Sequence, residues 1–196
     1  MKEYKNSNEL LDYIISKGVS VNNKEDALYK IKTYSYYSII NTYKDVFKNT
    51  NNEYKKNVSF DEIYALFEFD KNLRSIFLKY SLEIEIILKS LLAETISSRY
   101  GIKEYLVKKN FDNTVNETTI TESIDVIEEE INKQNGKHEA VTHYINEYGF
   151  VPPYVLTKIL TLGELSRLYI MLKQSDRQNI SKIFKLSDKV LKQIII

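Results

Sequence analysis

Few residues in this sequence have atom types suited to chemistry, and spacing limits what each can do. His138 and His143 are its two histidines. Five positions apart, they do not share a helical face as an i, i+4 pair does. Glu139 and His143 do share one, but they offer two ligands where a structural zinc takes four. Solvent-exposed histidines beside a turn are the ordinary reading, so no metal is expected. Glu83 and Glu85 lie in an apolar stretch, where burial raises a carboxyl pKa toward the range of acid–base work. Two apart on a helix, they point roughly 200° from each other and form no dyad. Glu85 is instead placed to pair with Lys89 at i+4. The absence of cysteine excludes disulfides, thiolate nucleophiles and thiolate metal sites. The five glycines are too scattered for a phosphate-cradling loop, and no nucleophile elbow is present.

Binding chemistry is better represented. The run "KIKTYSYYSIINTYK" interleaves Lys30, Lys32 and Lys44 with Tyr29, Tyr34, Tyr36, Tyr37 and Tyr43. Aromatic faces that stack bases, beside cations that hold phosphates, are what single-stranded RNA recognition uses. Tyrosines at helical spacing also build cores with their hydroxyls satisfied, so exposure decides between the two readings. Arg74 lies four residues after Asp70, where a surface ion pair is the bland alternative to a functional cation.

Helices must position all of these residues. "FDEIYALFEFDKNLRSIFLKYSLEIEIILKSLLAETISSRYG", Phe60 to Gly101, has no proline and no glycine until its last position. Its apolar residues follow the helical period, Ser59 and Glu62 have capping-box spacing, and Gly101 is a stop signal. At roughly 1.5 Å per residue such a helix spans about 60 Å and acts as a central spine. The half around "LEIEIILKSLLAETI" is apolar nearly all round, as in a helix buried on most sides. Shorter helices are expected at 8–17, from Asn22/Asn23 through "KDVFK", in "TESIDVIEEEINKQNGK", in "EAVTHYINEYG", and at 154–160, 163–172, 176–184 and from Ser187. No alternating run suggests a sheet, so the fold class is all-α, a helical bundle around one long central helix. The terminal "QIII" implies an end packed against the spine or a chain that continues.

The chain has 196 residues, 43% hydrophobic and 28% charged, enough for a real core. It reads as one domain, 1–196. Net charge is +1, but residues 112–139 hold eight carboxylates against two lysines. That acidic segment, expected to be peripheral, separates two mildly basic parts, an asymmetry able to steer an anionic partner. The N-terminal residues lack the apolar run of a signal peptide, and no stretch has the length of a membrane span. A cytoplasmic location without a membrane partner is the expectation.

Three blocks taken together resemble the Abi-like family of bacterial abortive-infection proteins, the AbiD/AbiF type, within the HEPN superfamily. They are "LLDYIISKGVSVNNKEDALYKIKTYSYYSI", "SFDEIYALFEFDKNLRSIFLKYSLEIEIILKSLLA" and "YGFVPPYVLTKILTLGELSRLY". The second carries Phe69-Asp70, Leu73-Arg74 and Glu85-Ile86 in the family's places, and the third a Pro pair followed by Leu-x-x-Gly-x-Leu-Ser-x-Leu-Tyr. The resemblance implies a HEPN-like bundle acting in phage defence as a metal-independent endoribonuclease without a cofactor. In such sites a His and an Arg act on the scissile phosphate and the ribose 2′-hydroxyl where two units meet, so a homodimer is expected. The family's Arg…His motif lies soon after the segment matching "LSDKVLKQI". The sequence reaches Ile196 before that position, and no histidine follows Arg167 or Arg177. No catalytic residue is therefore assigned, and the chain as given is expected to bind RNA without cleaving it. The RNA-contacting candidates are Arg74, Lys32, Tyr36, Tyr37 and Arg167. The alternative is a non-catalytic helical module that binds RNA, as an antitoxin-like regulator does, or a protein.

Overall fold

The computed structural model describes residues 4–195, and among them the fold is all-α, with two isolated β-bridges and no strand. The chain divides into two units, the first ending at Lys79 and the second beginning at Tyr80.

In the first unit, helix α1 (Ser7–Ser16) begins at Asn6, whose side chain accepts from the Glu9 backbone N–H while the Glu9 carboxylate accepts from Asn6. Helix α2 (Lys24–Tyr34) is capped by Asn23. The sequence predicts one helix from Asn22/Asn23 through Lys48, but α2 stops at Ser35, which adopts φ +67°. The Ser35 hydroxyl accepts from the Ser38 backbone N–H and restarts the chain as a π-helical turn, Tyr37–Asn41, followed by a short 3-10 turn, Lys44–Phe47. Ser and aromatic residues compete poorly for helix interiors, and that composition explains the break. Leu11, Ile14, Ala27, Ile31, Ile39 and Ile40 form the core of this unit.

Helix α3 (Phe60–Tyr100) has the expected limits. Ser59 and Glu62 form the predicted capping box, and Gly101 follows at φ +84°, a left-handed conformation that a side chain resists. Its first turns lay Phe60, Ile63 and Phe67 into the first core, and its last turns lay Leu88, Leu92 and Ile96 into the second. The stretch 82–96, expected to be buried on most sides, is buried along one face, at Leu88, Leu92, Ala93 and Ile96, while Leu82, Ile86, Ser90 and Glu94 are exposed. Residues 72–83 are exposed, including Leu73, Ile76, Phe77 and Leu78. Each core takes only one face of its own part of the helix, and the remaining apolar side chains meet solvent.

In the second unit, helices α4 (Glu117–Gln134), α5 (Glu139–Tyr148), α6 (Pro153–Ile159), α7 (Leu162–Met171), α8 (Gln174–Ile183) and α9 (Asp188–Ile195) pack with the end of α3. Most of the acidic segment 112–139 forms α4, although Asp112 at its start is buried. Its narrow apolar edge, Ile120, Ile124 and Ile127, is buried against the shared core, while Glu122, Asp125, Glu128 and Glu129 face away. A polar network is also buried in this unit. The Arg177 guanidinium donates to Asp188 (3.2 Å) and Asp112 (3.0 Å), and to the carbonyls of Ile170 and Leu172. The Tyr169 hydroxyl donates to Asp188 at 2.9 Å, while Asp176 accepts from Tyr100 and pairs with Arg99. Ile195 is buried, and Ile196 lies outside the described residues. Among the described residues no helix is long and apolar enough to cross a membrane.

Candidate nucleic-acid interface

The tyrosine-rich run splits on folding. Tyr34 packs against Tyr64 and Phe67, and Tyr43 donates to Asp70 at 2.6 Å, so both belong to the structure of the first unit. Lys30 is held by Asp26 at 2.6 Å and lies over the Tyr64 ring. The π-turn then sorts the next residues by face. Tyr36 turns inward with Ile39 and Ile40 and is 7% exposed, whereas Tyr37 is 63% exposed and meets the Tyr36 ring edge to face at 5.9 Å.

Tyr36 and Tyr37 line a cavity of about 660 Å³ with Lys5, Tyr13 and Lys44. A second cavity of about 530 Å³ shares Tyr13, Tyr36, Asn41 and Lys44 with it and adds Lys17, Lys48 and Tyr54. Together they form one cleft between α1 and the turns after α2. Lys5 and Lys17 lie 4.9 and 5.5 Å from the centre of the Tyr13 ring, and Lys48 lies 5.5 Å from that of Tyr54. Lys44 donates to Asn41 at 3.3 Å and Lys48 to Asn52 at 2.7 Å, neutral partners that leave both charges uncompensated. Four lysines therefore face Glu53, the single carboxylate lining either cavity among the described residues. Burial, aided by neighbouring Tyr54, Tyr13 and Tyr37, pushes the Tyr36 phenol up to about 12, so it stays a neutral hydrogen-bonding group. A cleft of tyrosines, lysines and amides can hold an anionic chain and stack its bases.

The other candidates lie elsewhere. Lys32 is exposed on α2 and lines neither cavity. Arg74 is exposed on α3 and pairs with Asp70 at 3.2 Å, the carboxylate that also accepts from Tyr43. Arg167 is exposed on α7 in the second unit. Sequence reasoning missed Tyr13 with Lys17, an i, i+4 pair on α1, and Lys5, Lys48 and Tyr54. Only Tyr13 and Lys17 had a visible signal, since the others reach the cleft through the fold.

The histidines show no shared site. His138 stands at the N-terminus of α5 with its Nδ1 buried and unbonded among the described residues. His143 is exposed and packs edge to face against Tyr144 and Tyr148.

No curated protein and no solved structure matches the chain. A family model described as Abi-like protein matches residues 29–196, a stretch that begins within α2 and leaves α1, with its share of the cleft, outside. With the match running over most of its length, the chain belongs to the Abi-like protein family, which is associated with abortive infection in phage defence.

Proposed function

We propose that this protein acts in phage defence by engaging single-stranded RNA, with the cleft of the first unit as the binding surface and no cleavage by the residues of this chain. The observation that supports the reading is the convergence of Tyr13, Tyr36 and Tyr37 with Lys5, Lys17, Lys44 and Lys48 from segments distant in sequence. Tyr37 offers an exposed ring face for a base, and the lysines follow a backbone. The Arg…His pair expected of a HEPN ribonuclease is not found among residues 1–196, so no cleaving group is assigned to them.

The test is fluorescence anisotropy with a labelled 12-nucleotide oligouridine. Tyr37→Ala is expected to weaken binding about tenfold, since stacking on an aromatic contributes about 1–3 kcal/mol per base. Lys44→Ala is expected to reduce the salt slope by about 0.7, the value for one phosphate contact on a single strand. Unchanged affinity in both variants, with unchanged melting, would remove the cleft from consideration.

A second copy of the chain is the partner favoured by the exposed part of α3. Phe69, Leu73, Ile76 and Phe77 recur at three- and four-residue steps within the first unit, and the two phenylalanines are 62% and 65% exposed. A buried aromatic removes about 150–250 Å² from water, so the stripe amounts to roughly 400 Å². That is within the range of the largest patches on monomers and about half of the ~800 Å² each partner gives to a stable interface. A homodimer through this stripe accounts for the exposure. Phe77→Glu is expected to convert dimer to monomer in size-exclusion chromatography with light scattering, without lowering helix content. A wild-type monomer at tens of micromolar would reject it.

A further inference from the structure

The second unit holds a cavity of about 720 Å³ that the RNA reading does not use. Four cations line it: Lys109, Lys173, Lys192 and Arg177. Two carboxylates, Asp112 and Asp188, line it as well, but both are engaged. Asp112 accepts from Arg177 and from the Thr114 hydroxyl, and Asp188 accepts from Arg177 and Tyr169 and pairs with Lys192 at 3.5 Å.

What remains is positive. Lys109 and Lys173 have no ion-pair partner among the described residues; Lys173 lies over the Tyr100 ring at 5.8 Å. Arg177 is 5% exposed and spends Nε and Nη1 on its carboxylates and carbonyls. Its Nη2 makes no hydrogen bond among the described residues, yet it is not one of the buried orphans, which are Ser97 Oγ and His138 Nδ1. The free N–H groups thus reach the cavity that Arg177 lines. Helix α8 begins at the same edge. Lys173 at its N-cap makes no side-chain capping bond, and the first backbone N–H groups, those of Gln174 and Ser175, find no acceptor among the described residues. Lys173 and Gln174 both line the cavity.

An uncapped helix N-terminus favours an anion, and Arg177 Nη2 adds a charged N–H donor to it, although the paired fork of the guanidinium is already spent on Asp112 and Asp188. Two unpaired lysines supply the remaining charge. We propose that this cavity is a binding site for a phosphate monoester dianion, held by Arg177 Nη2 and the α8 N-terminus within and by Lys109 and Lys173 at the rim. The site lies wholly in the second unit and does not rest on the cleft of the first. Two sources present this group, a free phosphate or nucleoside monophosphate and the 5′-phosphate end of a strand.

The experiment compares wild type with the Lys109→Ala/Lys173→Ala double variant, whose changes are at exposed side chains and leave the buried network intact. Three probes are titrated calorimetrically at constant ionic strength: inorganic phosphate, uridine 5′-monophosphate, and a 12-nucleotide oligouridine with and without a 5′-phosphate. Wild type is expected to bind one or more of the phosphomonoester probes at least tenfold more tightly than the double variant does. Binding of the small probes identifies a free ligand. A tenfold preference for the 5′-phosphorylated strand over its 5′-hydroxyl twin, lost in the double variant, identifies a strand end. If no phosphomonoester probe distinguishes wild type from the variant, or if sulfate competes as well as phosphate in every titration, the proposal fails.

Discussion

Arg177→Met is expected to lower the melting temperature of the protein by roughly 10 °C or more. The side chain is buried, and its removal leaves Asp112 and Asp188 without their cation in surroundings where an unpaired charge is costly. Breaking a buried ion pair from one side costs about 3–5 kcal/mol, a large share of the ~5–15 kcal/mol that holds a domain folded. Two carbonyls, of Ile170 and Leu172, lose their donor in the same step. The combination Arg177→Met/Asp112→Asn/Asp188→Asn removes the stranded charges and is expected to recover part of the loss, because most of the penalty belongs to the unpaired carboxylates. The pH dependence has a definite sign. The Asp112 carboxyl is held below the usual carboxylate range by the Thr114 backbone N–H, then by the Thr114 hydroxyl and by Arg177. A carboxyl with a depressed folded pKa stabilises the fold above its unfolded value, near 4, and that contribution is lost as pH falls through the folded value. Without Arg177 the same carboxyl protonates more readily, so the difference in melting temperature between wild type and Arg177→Met is largest at neutral pH and narrows as pH falls into the carboxylate range. A difference under 2 °C at neutral pH would show that the network is not structural.

The period of the apolar residues made the helices legible, local capping rules made the limits of α3 legible through Ser59 with Glu62 and Gly101 after Tyr100, and the i, i+4 rule made the pair of Glu85 with Lys89 legible, at 2.7 Å. These depend on neighbours within one turn. Two features did not follow from period or caps. The stretch 82–96 of α3 reads as buried on most sides because apolar composition reports what wants burial, and not whether this chain covers every face. The end of α2 at Ser35 depends on a backbone at positive φ, and serine does not signal that as glycine does. Of the candidate site, the tyrosine pair at 36 and 37 was visible and its partition was not: a π-turn sets which ring is buried and which is free. Lys44 belongs to the same run, but Lys5 and Lys17, which flank α1, and Lys48 join the tyrosines through the fold.

Phe60→Ala is expected to unfold or nearly unfold the first unit while leaving most of the second protected. Phe60 is buried at the first turn of α3, stacks on Tyr64 with rings 12° from parallel, and donates its backbone N–H to Ser20 at 2.8 Å. It therefore ties the start of the long helix to the turn after α1, where Ser20 also bridges Ser59. Truncating a buried phenylalanine costs about 3–5 kcal/mol. At about 0.05–0.15 kcal/mol per residue a unit of fewer than 80 residues has roughly 4–12 kcal/mol in total. The loss is thus comparable to the whole. The RNA cleft rests on that core through Tyr36, Ile39 and Ile40, so binding of the oligouridine is expected to disappear with the fold of this unit. Hydrogen exchange read by mass spectrometry separates the units. Peptides from α1, α2 and the π-turn are expected to exchange as if unfolded, while those from α4, α6 and α7 keep their wild-type protection, because Leu88, Leu92 and Ile96 belong to a different cluster of buried side chains. Equal loss of protection in α4, α6 and α7 would mean that the two cores unfold as one through α3, and the separation into two units would have no thermodynamic meaning.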